Sequence, residues 1–185
     1  MMKSNGAVVW ITGLSAAGKT TLGRILVEKL TERSSSVIFL DGDEIRQVLG
    51  EFTTHTREDR VRLASTYSKL CKYLADQNTT VVIATVALFK EVHSWNRANI
   101  TKYVEVYLDV PLEELKRRDP KGIYKKFQNG ELINVAGLDM RVDFPNSPHL
   151  HFKYEQCLSP IEMSEIIIRH MKSKSYLISQ EIKYE

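Results

Sequence analysis

The segment Gly13-Leu14-Ser15-Ala16-Ala17-Gly18-Lys19-Thr20 constrains this chain more than any other feature, because it matches G-x-x-x-x-G-K-[ST] directly after a short apolar run, Val8-Val9-Trp10-Ile11-Thr12. The run has the length and β-branched content of a buried parallel strand, and Leu22, Ile25, Leu26 and Leu30 then recur at helical spacing over residues 19–33. Strand, glycine loop and helix is the order that the motif's mechanism needs. Glycines at the loop ends permit backbone angles that turn successive N–H groups inward on a phosphate, and the helix adds the positive end of its dipole. On this reading Gly13, Ser15, Ala16, Ala17, Gly18, Lys19, Thr20 and Thr21 hold ATP. Lys19 reaches the outer phosphates, Thr20 places its hydroxyl on a Mg²⁺ bridging the β- and γ-phosphates, and Thr21 reaches the α-phosphate.

The alternation continues downstream. Val37-Ile38-Phe39-Leu40 reads as a second strand ending in Asp41-Gly42-Asp43, residues 57–77 as a long helix with Leu63, Tyr67, Leu70 and Leu74 inward, and residues 80–84 as a third strand. Residues 104–108 form a fourth strand, and Pro111 opens a helix running to Arg118. Residues 119–148 mix Gly, Pro, Asn and Lys with little periodicity, a length that suits a functional lid better than a plain connection. Leu150-His151-Phe152 is a last short strand, and Ser159 with Pro160 and Glu162 starts an amphipathic helix to Met171. Strands alternating with helices predict an α/β fold in three layers with a mostly parallel sheet, its ligands at the carboxyl ends of the strands. The expected division is one domain over residues 1–171, lid included, with 172–185 as a C-terminal extension.

Composition narrows the function classes. With 185 residues, 43% hydrophobic and 26% charged, the chain is an ordinary soluble domain rather than a disordered or membrane one. Its net charge of +3 is spread along the sequence instead of gathered in a stripe, so nucleic-acid binding has no support. Two cysteines, Cys71 and Cys157, make neither a disulfide framework nor a metal knuckle, and a reducing cytoplasm is the expectation.

Asp41 and Asp43 fall at the end of the second strand, which in this architecture delivers side chains toward the phosphate loop. A carboxylate there orients an attacking hydroxyl and takes its proton, or holds Mg²⁺ through water; the bland alternative is a plain Asp-Gly turn. Arg46 lies one helical turn beyond Asp43 and Arg60 near the start of the next helix, both available to an anionic acceptor or to solvent. Arg117, Arg118, Lys121, Lys125 and Lys126, at the lid and its entry, form either a cover for a triphosphate or a solvated basic face.

Taken together, GLSAAGKTT, LDGDEIR, RDPKGIYKK and GLD followed by FPNSP, in order across residues 8–148, resemble the adenylylsulfate kinase family. The resemblance implies a P-loop kinase fold and transfer of the ATP γ-phosphate to the 3′-hydroxyl of a nucleotide with a modified 5′-phosphate, normally adenosine 5′-phosphosulfate. It implies that Lys19 and Asp43 are catalytic, that Arg46 and Arg60 hold the anionic 5′ group, and that Asp41 assists Mg²⁺ or orientation. Lys121, Gly122, Ile123 and Tyr124 then belong to the closing flap. The expected partner is a small nucleotide acceptor, without nucleic acid or membrane, and a homodimer is left open.

Departures from the family pattern cluster on the acceptor side. Thr54, His55, Thr56 and Leu63 stand where the family carries glycine, phenylalanine, serine and asparagine, and residues 88–97 replace a segment of serine, proline, tyrosine and arginines. Phe89 or Trp95 offers a new stacking surface, or packs in the core. Related kinases of surface-polysaccharide pathways suggest a second acceptor, cytidine 5′-diphosphoramidate. A GTPase switch lacks its Asn-Lys-x-Asp motif here, Asp119-Pro120-Lys121-Gly122 being a chance likeness to D-x-x-G, and Asp43 argues against a non-catalytic nucleotide sensor.

Overall fold

The computed structural model describes residues 6–32, 36–50 and 56–177. At its centre is β1 (Val8–Thr12), a strand buried at every position, flanked by β3 (Thr80–Thr85) and β4 (Tyr103–Asp109). The outer places belong to β2 (Val37–Asp41), beside β3, and β5 (Leu150–Lys153), beside β4, giving the order β2-β3-β1-β4-β5. All five strands run parallel, so the sheet is wholly rather than mostly parallel. Such a sheet is stable only when both faces are covered, which is why its inner strands are near-continuous apolar runs.

Alternation along β1 divides the core. Val9 and Ile11 face α1 (Lys19–Thr31) and α7 (Pro160–Ser173), meeting Leu22, Leu26, Ile167 and Met171. Val8 and Trp10 face the other layer, packing with Leu63, Tyr67 and Cys71 of α3 (Arg57–Asp76) and Val92 of α4 (Lys90–Asn99). The short helices α2 (Gly42–Val48), α5 (Leu112–Arg118) and α6 (Ile123–Gln128) rim the carboxyl ends of the strands. The strand order reverses at β1, and there the loop before α1 opens into a crevice, the usual ligand position of such sheets.

Several elements differ from the sequence-based expectation. The helix expected over 19–33 ends at Thr31 and the one over 57–77 at Asp76, while α7 runs past Met171 to Ser173. Leu70 and Leu74 are only half-buried, at the edge of the second core cluster. The sequence reading marks no helix over α4, whose buried positions include polar His93 and Asn96 and so hide the apolar stripe. The lid is not featureless: Gly122, at φ 65°, starts α6, which turns Tyr124 inward. Past Met171, Tyr176 and Leu177 pack back onto the first core cluster.

β4 carries one residue that a buried strand rarely holds. Glu105 is fully buried and accepts from Arg97 Nε at 2.9 Å, while its backbone N–H donates to His149 Nδ1 at 2.9 Å. Arg97 also donates to the Ser147 carbonyl at 3.0 Å, so the end of the lid is fastened to the sheet through a buried charge.

Candidate active site

The loop between β1 and α1 is tight for reasons visible in its backbone. A Cβ at Gly13 would lie 2.7 Å from the Leu108 carbonyl oxygen, and Gly18, the N-cap of α1, sits at φ 93°. Ala16 also adopts φ 65° without being glycine, a conformation that costs an L-residue about 1–2 kcal/mol and concentrates at functional loops. The loop is braced by Lys19 Nζ, which donates to the Leu14 carbonyl at 2.7 Å, and by Tyr124 of α6, whose hydroxyl donates to the Ser15 carbonyl at 3.0 Å. Desolvation lowers the Lys19 ammonium to about pKa 8 against the opposing pull of Asp43.

Where β2 ends, Asp41 does two jobs. Its Oδ1 accepts from the Asp43 N–H at 2.9 Å and so caps α2, while its Oδ2 accepts from the Thr20 hydroxyl at 2.7 Å. The cap fixes Asp43 at the first turn of α2, facing the phosphate loop. Asp43 pairs with Lys121 of the lid and with Arg46, the latter at 2.8 Å. Desolvation pushes its carboxyl up, but Lys121, Arg46 and Lys19 outweigh that and hold it below the ordinary range. Arg60 donates to the Asn134 carbonyl at 3.1 Å from the opposite wall; its Nε is buried with no protein partner, and desolvation followed by Arg46 lowers its pKa.

These groups line one cavity of about 910 Å³ between the loop, α2, α3 and the lid. The cavity brings together Ser15, Ala16, Gly18, Lys19, Thr20, Thr21, Asp41, Asp43, Arg46, Arg60, Phe89, Lys121 and Ile123 from the sequence-derived set. Gly13, Ala17 and Gly122 are not in its lining; Gly13 and Gly122 take positive φ in the turns beside it, and the Ala17 N–H donates to the Leu14 carbonyl at 3.3 Å within the loop. Of the basic residues at the lid, Arg118 and Lys121 face the cavity, whereas Arg117, Lys125 and Lys126 point to solvent. Phe89 reaches the wall but is only 2% exposed, covered by the Arg57 guanidinium 5.3 Å from its ring centroid. Trp95 packs at the edge of the second core cluster, away from the cavity. Thr54 and His55 lie outside the described residues; Thr56 caps α3, and Leu63 lines the cavity.

The family model for adenylylsulphate kinase matches residues 5–153. The chain belongs to the adenylylsulphate kinase family. It is 40% identical over 146 residues to a cytidine diphosphoramidate kinase of Campylobacter jejuni, covering 79% of this chain and 85% of that one. With an adenylyl-sulfate kinase of Clostridium acetobutylicum it shares 38% identity over 151 residues, 81% of this chain and 76% of the relative. A solved APS kinase of Mycobacterium tuberculosis, in complex with AMPPNP and APS, superposes with a TM-score of 0.82 at 30% identity, covering 91% and 98% of the two chains. The three-layer P-loop kinase fold and the enzyme class, a phosphotransferase, follow from this membership.

Within this family member the cavity also holds residues that the sequence reading does not single out for the site: Arg24, Glu44, Asp59, Tyr67, Thr85 and Val135. Tyr67 had a readable signal. Asp59, Arg60, Leu63, Ala64 and Tyr67 recur at helical spacing along α3, so one face of the helix serves the site at its start and the core further on. The Tyr67 hydroxyl donates to the Gly42 carbonyl at 2.7 Å and ties that face to α2. Val135 carried no signal, since its place opposite α3 depends on Asp139, which accepts from the N–H groups of Asn134 at 2.7 Å and Val135 at 2.6 Å.

Proposed function

We propose that this chain transfers the γ-phosphate of ATP to the 3′-hydroxyl of a nucleotide whose 5′-phosphate carries a further substituent. The observation that carries the reading is a single cavity in which Asp43 stands between the phosphate loop and the two guanidinium groups of Arg46 and Arg60. Lys19 and the N–H groups of the loop hold the triphosphate, and the acceptor's anionic 5′ end lies against Arg46 and Arg60. Asp43 then receives the 3′-hydroxyl. Because its neighbours keep Asp43 ionised, its main contribution is to aim the hydroxyl in line with the γ-phosphate, which is most of what phosphoryl transfer requires. Lys121, paired with Asp43 in the described structure, is the lid cation best placed to turn to the transferring phosphate and free the carboxylate.

Thr20 and Asp41, adjacent hard oxygen donors, are the residues that would hold Mg²⁺. When bound it neutralises charge on the β- and γ-phosphates.

Two acceptors fit this description. Adenosine 5′-phosphosulfate follows from the family, and cytidine 5′-diphosphoramidate is favoured by the 40% identity to a kinase named for it, together with Leu63 on the acceptor wall. The test is acceptor-dependent ADP release from Mg·ATP with each compound. At least one should raise turnover well above the rate with water alone, and the larger kcat/KM names the acceptor. Equal ADP release with and without either compound contradicts the proposal. Among the described residues no helix is long and apolar enough to cross a membrane.

A further inference from the structure

We infer that Arg57 is a positioning residue for acceptor binding: it holds the returning segment of the lid beside Phe89 and so sets where Arg60 stands. The inference rests on the proposed 3′-phosphorylation and deepens it. Arg57 is the first residue of α3 and is not in the lining of the cavity. Its guanidinium nevertheless joins three separate segments. Nη2 donates to Asp143 Oδ2 of the lid at 2.7 Å, and Nη1 and Nη2 donate to Glu91 Oε1 of α4 at 3.4 and 3.3 Å. The same group lies over the ring of Phe89, which does line the cavity.

Asp143 is also tied to the start of α4 through its backbone. The Lys90 N–H donates to Asp143 Oδ2 at 3.3 Å, and the Asp143 N–H donates to the Leu88 carbonyl at 2.8 Å. Three residues earlier, Met140 closes a turn of the lid: its N–H donates to the Val135 carbonyl at 3.2 Å, and its carbonyl accepts from the Gly137 N–H at 3.0 Å. Asp139 in the same turn accepts from the Asn134 N–H at 2.7 Å, and the Asn134 carbonyl accepts from Arg60 at 3.1 Å. A run of bonded groups thus leads from Arg57, through Asp143 and the turn, to the guanidinium assigned to the acceptor's anionic end. On the ATP side, the bonds of Lys19 to Leu14, Thr20 to Asp41 and Tyr124 to Ser15 involve none of these residues.

Exposed ion pairs contribute little to stability, because water screens them. Here the Asp143 side chain is only 18% exposed, and a charged bond to a covered carboxylate is shorter and more directional. The effect of Arg57 therefore falls on geometry, where a misplacement of about 1 Å in a group that orients substrate can cost about 10²-fold in rate. Glu91 and Asp143 moreover share Nη2 of Arg57, so without it two carboxylates face each other and repel the lid segment from α4.

The test is Arg57→Met in the full chain, with steady-state rates taken while Mg·ATP and the acceptor are varied in turn. The acceptor is whichever of adenosine 5′-phosphosulfate and cytidine 5′-diphosphoramidate the wild-type enzyme uses. KM for the acceptor should rise about tenfold, while KM for ATP stays within about twofold. Asp143→Asn, which keeps the shape of the side chain, should give the same split. The double variant should be no worse than Arg57→Met alone, because the two residues act through one contact. Equal rises in both KM values, an unmoved acceptor KM, or losses that simply add overturn the inference. If one single variant fails to fold, the other decides by the same split; if neither folds, the contact serves stability and the inference is overturned. A wild-type enzyme that phosphorylates neither nucleotide overturns the 3′-kinase reading as well, whereas an active one with an unmoved acceptor KM in the variants overturns this inference alone.

Discussion

At the scale of single residues, Lys19 and Asp43 have separable duties in the proposed reaction. Lys19 is lowered to about pKa 8 by desolvation in the ligand-free enzyme, and only its protonated form grips phosphate. kcat/KM for ATP reports the free enzyme, so it should be level below pH 8 and fall as pH rises through that value, which a pH–rate series with saturating acceptor measures. Lys19→Ala should lower kcat/KM by about 10²–10³-fold and flatten that limb. Asp43→Asn keeps the shape of the side chain but removes its charge. It should lower kcat by about 10²-fold with KM for ATP little changed, measured in steady state; an unchanged kcat would remove Asp43 from the reacting centre.

At the scale of elements, the lid is held down by contacts that the sequence could not display. Tyr124 on α6 bonds to the phosphate loop, Lys121 to Asp43, and Arg97 of α4 to the lid's far end. Tyr124→Phe should cost about 1 kcal/mol of stability and raise KM for ATP several-fold, a change visible in a denaturant titration run beside the kinetics. The phosphate loop and the five strands were legible because local chemistry dictates them, a glycine loop and buried apolar runs, whereas the cap that Asp41 makes on α2 was not read from the sequence. Helix α4 was not legible, because its inward His93 and Asn96 are polar and bond to groups outside the helix, the Ala87 carbonyl and the Tyr103 hydroxyl. Val135 was not legible either, because its place is set by the hydrogen bond from its N–H to Asp139 rather than by any periodic pattern of its own, whereas Tyr67 lies on the helical stripe of α3. Phe89 shows the converse, an aromatic that the sequence offered as a stacking surface and the fold covers with Arg57.

At the scale of the whole molecule, buried polar groups make stability depend on pH. His93, His149 and His170 are each lowered from 6.5, first by desolvation. The unfolded chain therefore takes up protons near pH 6.5 that the folded chain refuses, so stability present above that value should be lost as pH falls below it. Thermal melts from pH 7.5 to 5 should show a falling Tm before carboxylate titration begins; a flat profile would mean that these imidazoles titrate freely. Arg97→Ala should be among the costlier surface-reaching changes, about 3 kcal/mol, since it strands the fully buried Glu105 carboxylate. What the molecule as a whole is built to do is bring one triphosphate and one nucleotide hydroxyl to a single crevice, and the position of the new phosphate tests that most directly. Incubation with Mg·ATP and an accepted nucleotide, followed by ³¹P and proton-coupled NMR of the product, should show a phosphomonoester on the 3′-oxygen in amounts equal to the ADP released. ADP accompanied only by inorganic phosphate, or a phosphate at another oxygen, would contradict the account.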